Sequence, residues 1–158
     1  MAYEFRRLPV FANLREEYVR TLEPLLEPYS CEPGTSVIQQ STPAEYLYVI
    51  LRGAVDVSFK PYDGAPITVS HIEQGGLFGW SAVVGSDKYT STATAIGNLE
   101  AVRIPGNELR NLCADNPEAG REILNCLANA VSLRWKDAHE QVKLLLAHGM
   151  KNGKDNPE

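Results

Sequence analysis

The chain has 158 residues, of which 44% are hydrophobic and 22% charged, a composition typical of one soluble globular domain with a sizeable core. The formal net charge of −5 at pH 7 argues against a general nucleic-acid-binding surface. The N-terminus lacks the apolar segment of a signal peptide, and no apolar run reaches the roughly 18 residues of a membrane span, so we expect a cytoplasmic protein without membrane contact.

The first predicted element is a short helix within residues 8–26, where apolar residues recur at roughly helical spacing. Asn13 is the predicted N-cap, because two acidic residues follow it closely. Pro24 interrupts the pattern, so the helix is expected to end near residues 21–23.

From residue 29 the apolar period changes to two, and turn sequences such as Pro33-Gly34 and Asp63-Gly64 separate short segments. The predicted strands are Tyr29–Glu32, Ser36–Gln40, Tyr46–Leu51, Ala54–Phe59, Ile67–Ile72, Thr90–Ala95 and Leu99–Ile104. Many short strands at regular spacing predict a mainly β fold of the sandwich, jelly-roll or barrel type with flanking helices.

Beyond the strands the pattern becomes helical, beginning with a short helix at Asn107–Ala114. Asn116-Pro117-Glu118 combines a cap, a proline at the first position and an acid in the first turn, which predicts a helix of about 30 residues ending at Gly149. We therefore divide the chain into a helix-and-barrel domain with a short helix (1–115), a long C-terminal helix (116–148) and a disordered tail (149–158).

The long predicted helix carries an apolar stripe whose members step by alternating four and three residues. The stripe consists of Leu124, Ala128, Val131, Trp135, Ala138, Val142 and Leu145. Ile123 and Leu127 beside it are expected to pack on the barrel. Because a helix of about 45 Å is longer than a small barrel can cover, the stripe predicts a parallel homodimer seam, with packing on the parent barrel as the alternative.

A glycine-rich stretch at residues 72–85 precedes a short apolar segment, and hydroxyl-bearing residues follow at 90–92. Glycines let the backbone approach a ligand closely, and the unpaired N–H groups of a helix start attract anions, phosphate in particular. A tight turn without a ligand would explain the same pattern.

The order of elements and several segments resemble the cyclic nucleotide-binding domain family, which includes the catabolite activator protein and the regulatory subunits of cyclic-AMP-dependent kinase. The similarity covers about residues 6–146, and its clearest segments are 8–14, 32–38, 46–57 and Gly75-Gly76-Leu77-Phe78-Gly79. It implies a double-stranded β-helix, or jelly-roll, barrel with a short N-terminal helix, a long C-terminal helix and a phosphate-binding cassette.

Two positions depart from the pattern of that family. The glutamate that accepts a hydrogen bond from the ribose 2′-hydroxyl is replaced by Trp80, and the arginine that pairs with the cyclic phosphate is replaced by Ser91. Two lost hydrogen bonds to charged groups remove roughly 3–6 kcal/mol, which turns a micromolar site into a millimolar one or worse. We therefore expect cyclic AMP and cyclic GMP to bind weakly or not at all, unless Lys88 supplies the missing cation.

The candidate ligand-binding residues lie in and after this cassette: Gly79, Trp80, Ser81, Ala82, Tyr89, Thr90, Ser91 and Thr92. Trp80 and Tyr89 either stack on a planar ligand, with the hydroxyls of residues 90–92 donating hydrogen bonds, or fill the pocket as core. The ligand class left open is a small anion or a nucleotide-like compound, and no cofactor is implied. The resemblance also places Trp135 where the long helix would close over a ligand, so it is either a lid or a seam residue.

Metal, disulfide and enzyme chemistry find little support. Cys31, Cys113 and Cys126 are widely spaced without a Cys-x-x-Cys pair, and we expect buried, reduced thiols. The fragment His71-Ile72-Glu73 lacks the second histidine of a cupin metal site and is expected to be ordinary strand. The other two histidines, at 139 and 148, are too far apart to share a metal, and no nucleophile motif occurs.

These observations predict a non-enzymatic regulatory module that senses a ligand other than the usual cyclic nucleotide and signals through a homodimer. The alternative is a ligand-free interaction and dimerisation module whose pocket is plugged by Trp80. A transcription factor of the catabolite-activator type is disfavoured, because such proteins continue into a helix-turn-helix whereas this chain ends soon after the predicted long helix.

Overall fold

The computed structural model describes residues 11–128, and this part is mainly β with flanking helices, as predicted. Its strands are β1 (Glu27–Cys31), β2 (Ser36–Ile38), β3 (Tyr46–Arg52), β4 (Val55–Phe59), β5 (Ile67–Ile72), β6 (Leu77–Phe78), β7 (Thr92–Ala95) and β8 (Leu99–Pro105). Its helices are α1 (Glu16–Leu22, followed by a 3-10 turn at Glu23–Leu25), α2 (Ser81–Val84), α3 (Gly106–Asp115) and α4, which includes residues 117–128.

The strands form two antiparallel four-stranded sheets with the orders β1-β8-β3-β6 and β2-β7-β4-β5. Strands that are neighbours in space are mostly distant in sequence, which is the connectivity of a jelly roll. The register places Tyr48 of β3 between Arg103 of β8 and Phe78 of β6. This row of side chains crosses the first sheet and ends at Phe78, which lies within the glycine-rich stretch 72–85.

The apolar core is divided into two clusters, and β3 contributes to both. Leu47, Val49 and Leu51 pack with the helices, whereas Tyr48 and Ile50 pack between the sheets, because successive strand residues point to opposite faces. We call the first group the helical cluster (Phe11, Leu14, Tyr18, Val19, Leu22, Leu47, Val49, Leu51, Leu77, Val83, Val102, Ile104, Leu109, Ala119, Ile123 and Leu127). The second is the barrel cluster (Ile38, Tyr48, Ile50, Val55, Ile72, Phe78, Tyr89, Ala93, Ala95 and Leu99).

The start of the first helix differs from the prediction. Its N-cap is Arg15 and not Asn13, and no side chain caps the helix. Asn13 belongs to the preceding turn, which the Leu14 N–H closes by donating to the Phe11 carbonyl at 3.1 Å. The predicted end is confirmed, since α1 stops at Leu22 ahead of the 3-10 turn.

The strand predictions hold in type and vary in extent. Ile67–Ile72 is confirmed without change, whereas β2 ends at Ile38 and β7 begins only at Thr92. Residues 90 and 91 belong instead to a loop, which a backbone bridge between Lys88 and Pro43 fastens near its start. The prediction missed β6, because a strand of two residues carries no period.

The start of the last helix is confirmed, because the Asn116 side-chain oxygen accepts a hydrogen bond from the Ala119 N–H at 3.3 Å. Ile123 and Leu127 are fully buried in the helical cluster, as expected for residues that hold the helix on the barrel. Leu124 and Ala128 beside them are half-buried. The remaining seam positions (Val131, Trp135, Ala138, Val142 and Leu145) and the tail lie outside the described residues.

The three cysteines are free but only half-buried, so the expectation of buried thiols was wrong. Cys113 lies where α3 meets the following helix, and a Cβ added at Gly120 would be 2.8 Å from its sulfur. Partial burial there still raises the pKa of the Cys113 thiol. No helix within residues 11–128 is long and apolar enough to cross a membrane.

Candidate functional site

The cassette begins at Gly79, where the chain leaves β6 and must pass very close to β3. Gly79 has φ +90°, and a Cβ at this position would lie 2.7 Å from the Tyr46 carbonyl oxygen. Glycine adopts this conformation without the steric penalty of a side chain. The local backbone path therefore depends on glycine at this position.

The next residues form the short helix α2. The N–H groups of Ala82 and Val83 donate to the carbonyls of Gly79 and Trp80 at 3.1 and 2.9 Å. The N–H groups of Trp80 and Ser81 have no acceptor among residues 11–128, so they are the free donors of this helix start. The cassette thus retains a backbone arrangement that can face an anion.

The cassette is anchored to α3, a feature that the sequence reasoning missed. The Arg110 guanidinium donates a hydrogen bond to the Ala82 carbonyl. Gly106 packs against the same carbonyl so closely that a Cβ there would overlap it. Gly106 and Arg110 are four residues apart and therefore lie on the same face of α3. This Gly-x-x-x-Arg spacing was the only sequence signal for the contact.

Trp80 and Tyr89 were expected to act together on a ligand or in the pocket, and the structure separates them. Trp80 is half-buried and packs against the helical cluster. Tyr89 is 6% exposed and belongs to the barrel cluster. The two rings therefore do not form one stacking surface, and the contacts of Trp80 are with the helical side of the fold.

Tyr89 fastens the cassette loop to β3. Its hydroxyl donates to the Tyr46 carbonyl at 2.6 Å and accepts from the Tyr46 N–H at 3.0 Å. Burial raises the pKa of Tyr89 to about 12, so this hydroxyl keeps its proton at neutral pH. Both hydrogen-bonding roles of the hydroxyl are thus satisfied inside the protein.

The hydroxyl-bearing residues after Tyr89 differ in how far their side chains are exposed and hydrogen-bonded within the protein. Thr92 is half-buried, and its hydroxyl oxygen accepts a hydrogen bond from the Gln40 N–H at 2.9 Å. Thr90 is exposed and Ser91 is half-buried. Lys88 is exposed on the same loop, and no carboxylate among the described residues pairs with its ammonium group.

A cavity of about 330 Å³ opens next to Tyr89 and is lined by no other cassette candidate. It is lined by residues 36–39 together with Thr42, Pro43, Glu45, Tyr46, Tyr48 and Tyr89. Of the lining residues within the described part of the chain, only Glu45 is formally charged. The lining therefore combines three tyrosines and several polar groups with a carboxylate at an exposed position.

The tyrosines of this wall continue into a cluster that also holds an arginine. The Arg103 guanidinium carbon lies 4.1 Å from the centre of the Tyr46 ring and 5.6 Å from that of Tyr29. Its Nε is 3.0 Å from a carboxylate oxygen of Glu27, which neutralises the charge. Tyr48 joins the cluster, in edge contact with Tyr29 and stacked on Phe78. The sequence reasoning missed this cluster, although Tyr46 and Tyr48 share one face of a predicted strand.

His71 lies in β5, as expected, and both of its ring nitrogens face carboxylates. Nδ1 is 2.9 Å from Asp56 and Nε2 is 3.1 Å from Glu73. The hydrogen bond with Asp56 raises the pKa of His71, and that with Glu73 adds to the shift. Within the described part of the chain, no three His, Cys, Asp or Glu side chains are arranged to hold a metal.

Comparison with known proteins places this fold and cassette in context. The family model for the cyclic nucleotide-binding domain matches residues 29–116. The CRP-like cAMP-activated global transcriptional regulator of Mycobacterium tuberculosis is 27% identical over 122 residues, which are 77% of this chain and 54% of the regulator. The acetyltransferase Pat of Mycolicibacterium smegmatis is 33% identical over 94 residues, which are 60% of this chain and 28% of that enzyme.

A solved cyclic nucleotide-binding domain from Methylobacillus flagellatus shares the fold, with a TM-score of 0.77, 19% identity and coverage of 89% of this chain and 82% of that one. This chain spans about half of the length of the mycobacterial regulator, so the similarity concerns a module that occurs in proteins of different activity. The matched family model covers more than half of the chain and includes the cassette and both sheets. The chain therefore belongs to the cyclic nucleotide-binding domain family.

Proposed function

We propose that the chain is a non-enzymatic sensor module that binds a ligand other than cyclic AMP or cyclic GMP and signals through a homodimer. One observation supports this proposal: Gly79 and the free N–H groups of Trp80 and Ser81 form a backbone that can face an anion. By the resemblance to the family, Trp80 and Ser91 replace its ribose-binding and phosphate-binding side chains. A preserved backbone with exchanged side chains is what a changed ligand specificity would produce.

Neighbouring groups do not replace the two lost side chains. Arg110 is engaged with the Ala82 carbonyl, and the Thr92 hydroxyl is engaged with the Gln40 N–H. Lys88 has no carboxylate partner among residues 11–128, but it lies exposed in the loop, where an ion pair contributes only about 0–1 kcal/mol. That is less than the roughly 3–6 kcal/mol that the missing hydrogen bonds would supply.

The same geometry supports a route from the cassette to the last helix. Trp80 packs against the helical cluster, which contains Ile123 and Leu127 of that helix. Arg110 connects the cassette with α3, the helix that directly precedes α4. A ligand that moves the cassette would change these contacts, and the apolar stripe beyond Leu124 would carry the change to a second copy of the chain.

The alternative, a ligand-free module plugged by Trp80, has less support. A plug would have to lie in the barrel cluster, whereas Trp80 packs against the helical cluster. The aromatic residues that do lie in the barrel cluster beside the cassette include Phe78 and Tyr89. We therefore keep the sensor function as the proposal and treat ligand-free dimerisation as an outcome of its test.

Isothermal titration of the 158-residue chain with cyclic AMP and cyclic GMP tests the proposal directly. We expect dissociation constants weaker than about 1 mM, because two charge-assisted hydrogen bonds are missing. A constant below about 10 μM for either nucleotide would contradict it. If no compound in a screen of nucleotides and small anions shifts the thermal midpoint, the ligand-free alternative is favoured.

A further inference from the structure

The cavity beside Tyr89 is separate from the free N–H groups of the cassette. Neither Trp80 nor Ser81 lines it, and only Tyr89 is shared between the cavity and the candidate ligand-binding residues. Its volume of about 330 Å³ is at the lower end of the range for small-molecule sites. The cavity therefore has room for a small ligand that does not touch the anion-binding backbone.

The chemistry of the lining selects a positive ligand. Among the described residues that line the cavity, Glu45 is the only one with a formal charge, and none is a Lys, Arg or His. Tyr46, Tyr48 and Tyr89 belong to the same lining, with Tyr46 the most exposed of the three. Aromatic rings attract cations to their faces. The Arg103 guanidinium carbon lies 4.1 Å from the centre of the Tyr46 ring, so this ring already makes one cation–π contact, with a residue outside the lining.

Arg103 does not turn the cavity into an anion site. Its charge is paired with Glu27 at 3.0 Å, and Arg103 itself is not part of the lining. Glu45 has no cationic side chain within ion-pair distance among residues 11–128. The uncompensated charge at the cavity is therefore negative.

We propose that this cavity binds a small organic cation, an ammonium group carried on an aromatic or apolar body, between Glu45 and the tyrosine wall. The ammonium group pairs with the Glu45 carboxylate, and the body lies against the rings of Tyr46 and Tyr48. The existence of this site does not depend on the proposed sensor function. Its biological role does rest on that function, because the cation would be the ligand that the sensor detects.

Occupancy of the cavity would reach the cassette through Tyr89. A Cβ added at Gly79 would lie 3.6 Å from Cε1 of Tyr89, so this ring packs directly against the cassette glycine. The Tyr89 hydroxyl also holds the backbone of Tyr46, which lines the same cavity. A ligand that displaces the Tyr89 ring would thus disturb the path of the chain into α2.

Three probes with the same aromatic body separate charge from shape: phenethylamine, phenethyl alcohol and phenylacetate. In titrations of the full chain followed by NMR, we expect the amine to bind most tightly, the alcohol more weakly and the acetate not at all, because only the amine pairs with Glu45. We expect Glu45→Gln to weaken amine binding by about five- to tenfold and to leave the alcohol unchanged. Glu32→Gln, which removes an exposed carboxylate outside the lining, is the matched control.

Equal binding of the amine and the acetate, an unchanged amine affinity in Glu45→Gln, or no amine binding at about 10 mM would overturn the proposed cation site. Glu45-dependent binding that shifts no resonance of the cassette or of the last helix would confirm the site and count against the sensor function. The two failures are therefore distinguishable in one set of spectra.

Discussion

Gly79→Ala places a methyl group against the backbone of a neighbouring strand. The ideal Cβ would lie 2.7 Å from the Tyr46 carbonyl oxygen, a separation that real Cβ atoms do not show. The positive φ alone costs about 1–2 kcal/mol in a residue with a side chain. Moving the backbone to relieve the overlap adds about 1–3 kcal/mol, so we expect the free energy of unfolding to fall by about 2–5 kcal/mol.

Gly97→Ala is the matched control for this variant. Gly97 has φ +91°, but a Cβ there meets nothing within 4 Å. Its substitution should therefore cost only the backbone strain, about 1–2 kcal/mol. Urea unfolding of both variants, followed by circular dichroism, gives the two free energies. Equal losses would refute the close approach of the cassette to β3.

Three further predictions concern the hydroxyl, the histidine and the seam. Tyr89→Phe removes a hydroxyl that makes two hydrogen bonds with the β3 backbone, so the free energy of unfolding in urea should fall by about 1–3 kcal/mol. Tyr62→Phe, at a residue that is 97% exposed, is the control and should leave the free energy of unfolding unchanged. The hydrogen bond between His71 and Asp56 raises the pKa of His71 in the folded protein above the ordinary value of 6.5. The stabilisation from this hydrogen bond is therefore complete below pH 6.5 and is lost as the pH rises through the pKa of the folded state. An NMR titration should show the pKa of His71 falling in Asp56→Asn, and an unchanged value would refute the link. Val142→Asp should give monomers in sedimentation analysis, and an unchanged mass would contradict the predicted seam.

Much of the fold was predictable because its sequence signals are local. The Asn116 cap is confirmed by a hydrogen bond within one helical turn, and β5 is confirmed residue for residue. The wrong N-cap at Asn13 has a local cause too, since a turn ahead of the helix uses that residue. The half-burial of Cys113 could not be predicted, because it depends on how two helices meet.

The candidate site was predicted in part. The cassette glycine is visible in the sequence, and so are Trp80 and Ser91, the proposed exchanges, because all three lie within one continuous segment. The direction of Trp80 was not predictable, since either face of the turn could have received the ring. The tyrosine-lined cavity was missed because Tyr89 is distant in sequence from the rest of the lining, which comes from residues 36–48.

We propose that the cassette keeps its backbone but has lost the side chains that bind a cyclic nucleotide. Titration of the Trp80→Glu/Ser91→Arg variant with cyclic AMP tests this proposal, with Trp80→Gln/Ser91→Gln as the uncharged control. We expect the wild type and the control to bind more weakly than about 1 mM, and the charged variant to bind about 10²- to 10⁴-fold more tightly. A folded charged variant that binds no better than the control, or wild-type binding below about 10 μM, would contradict the account.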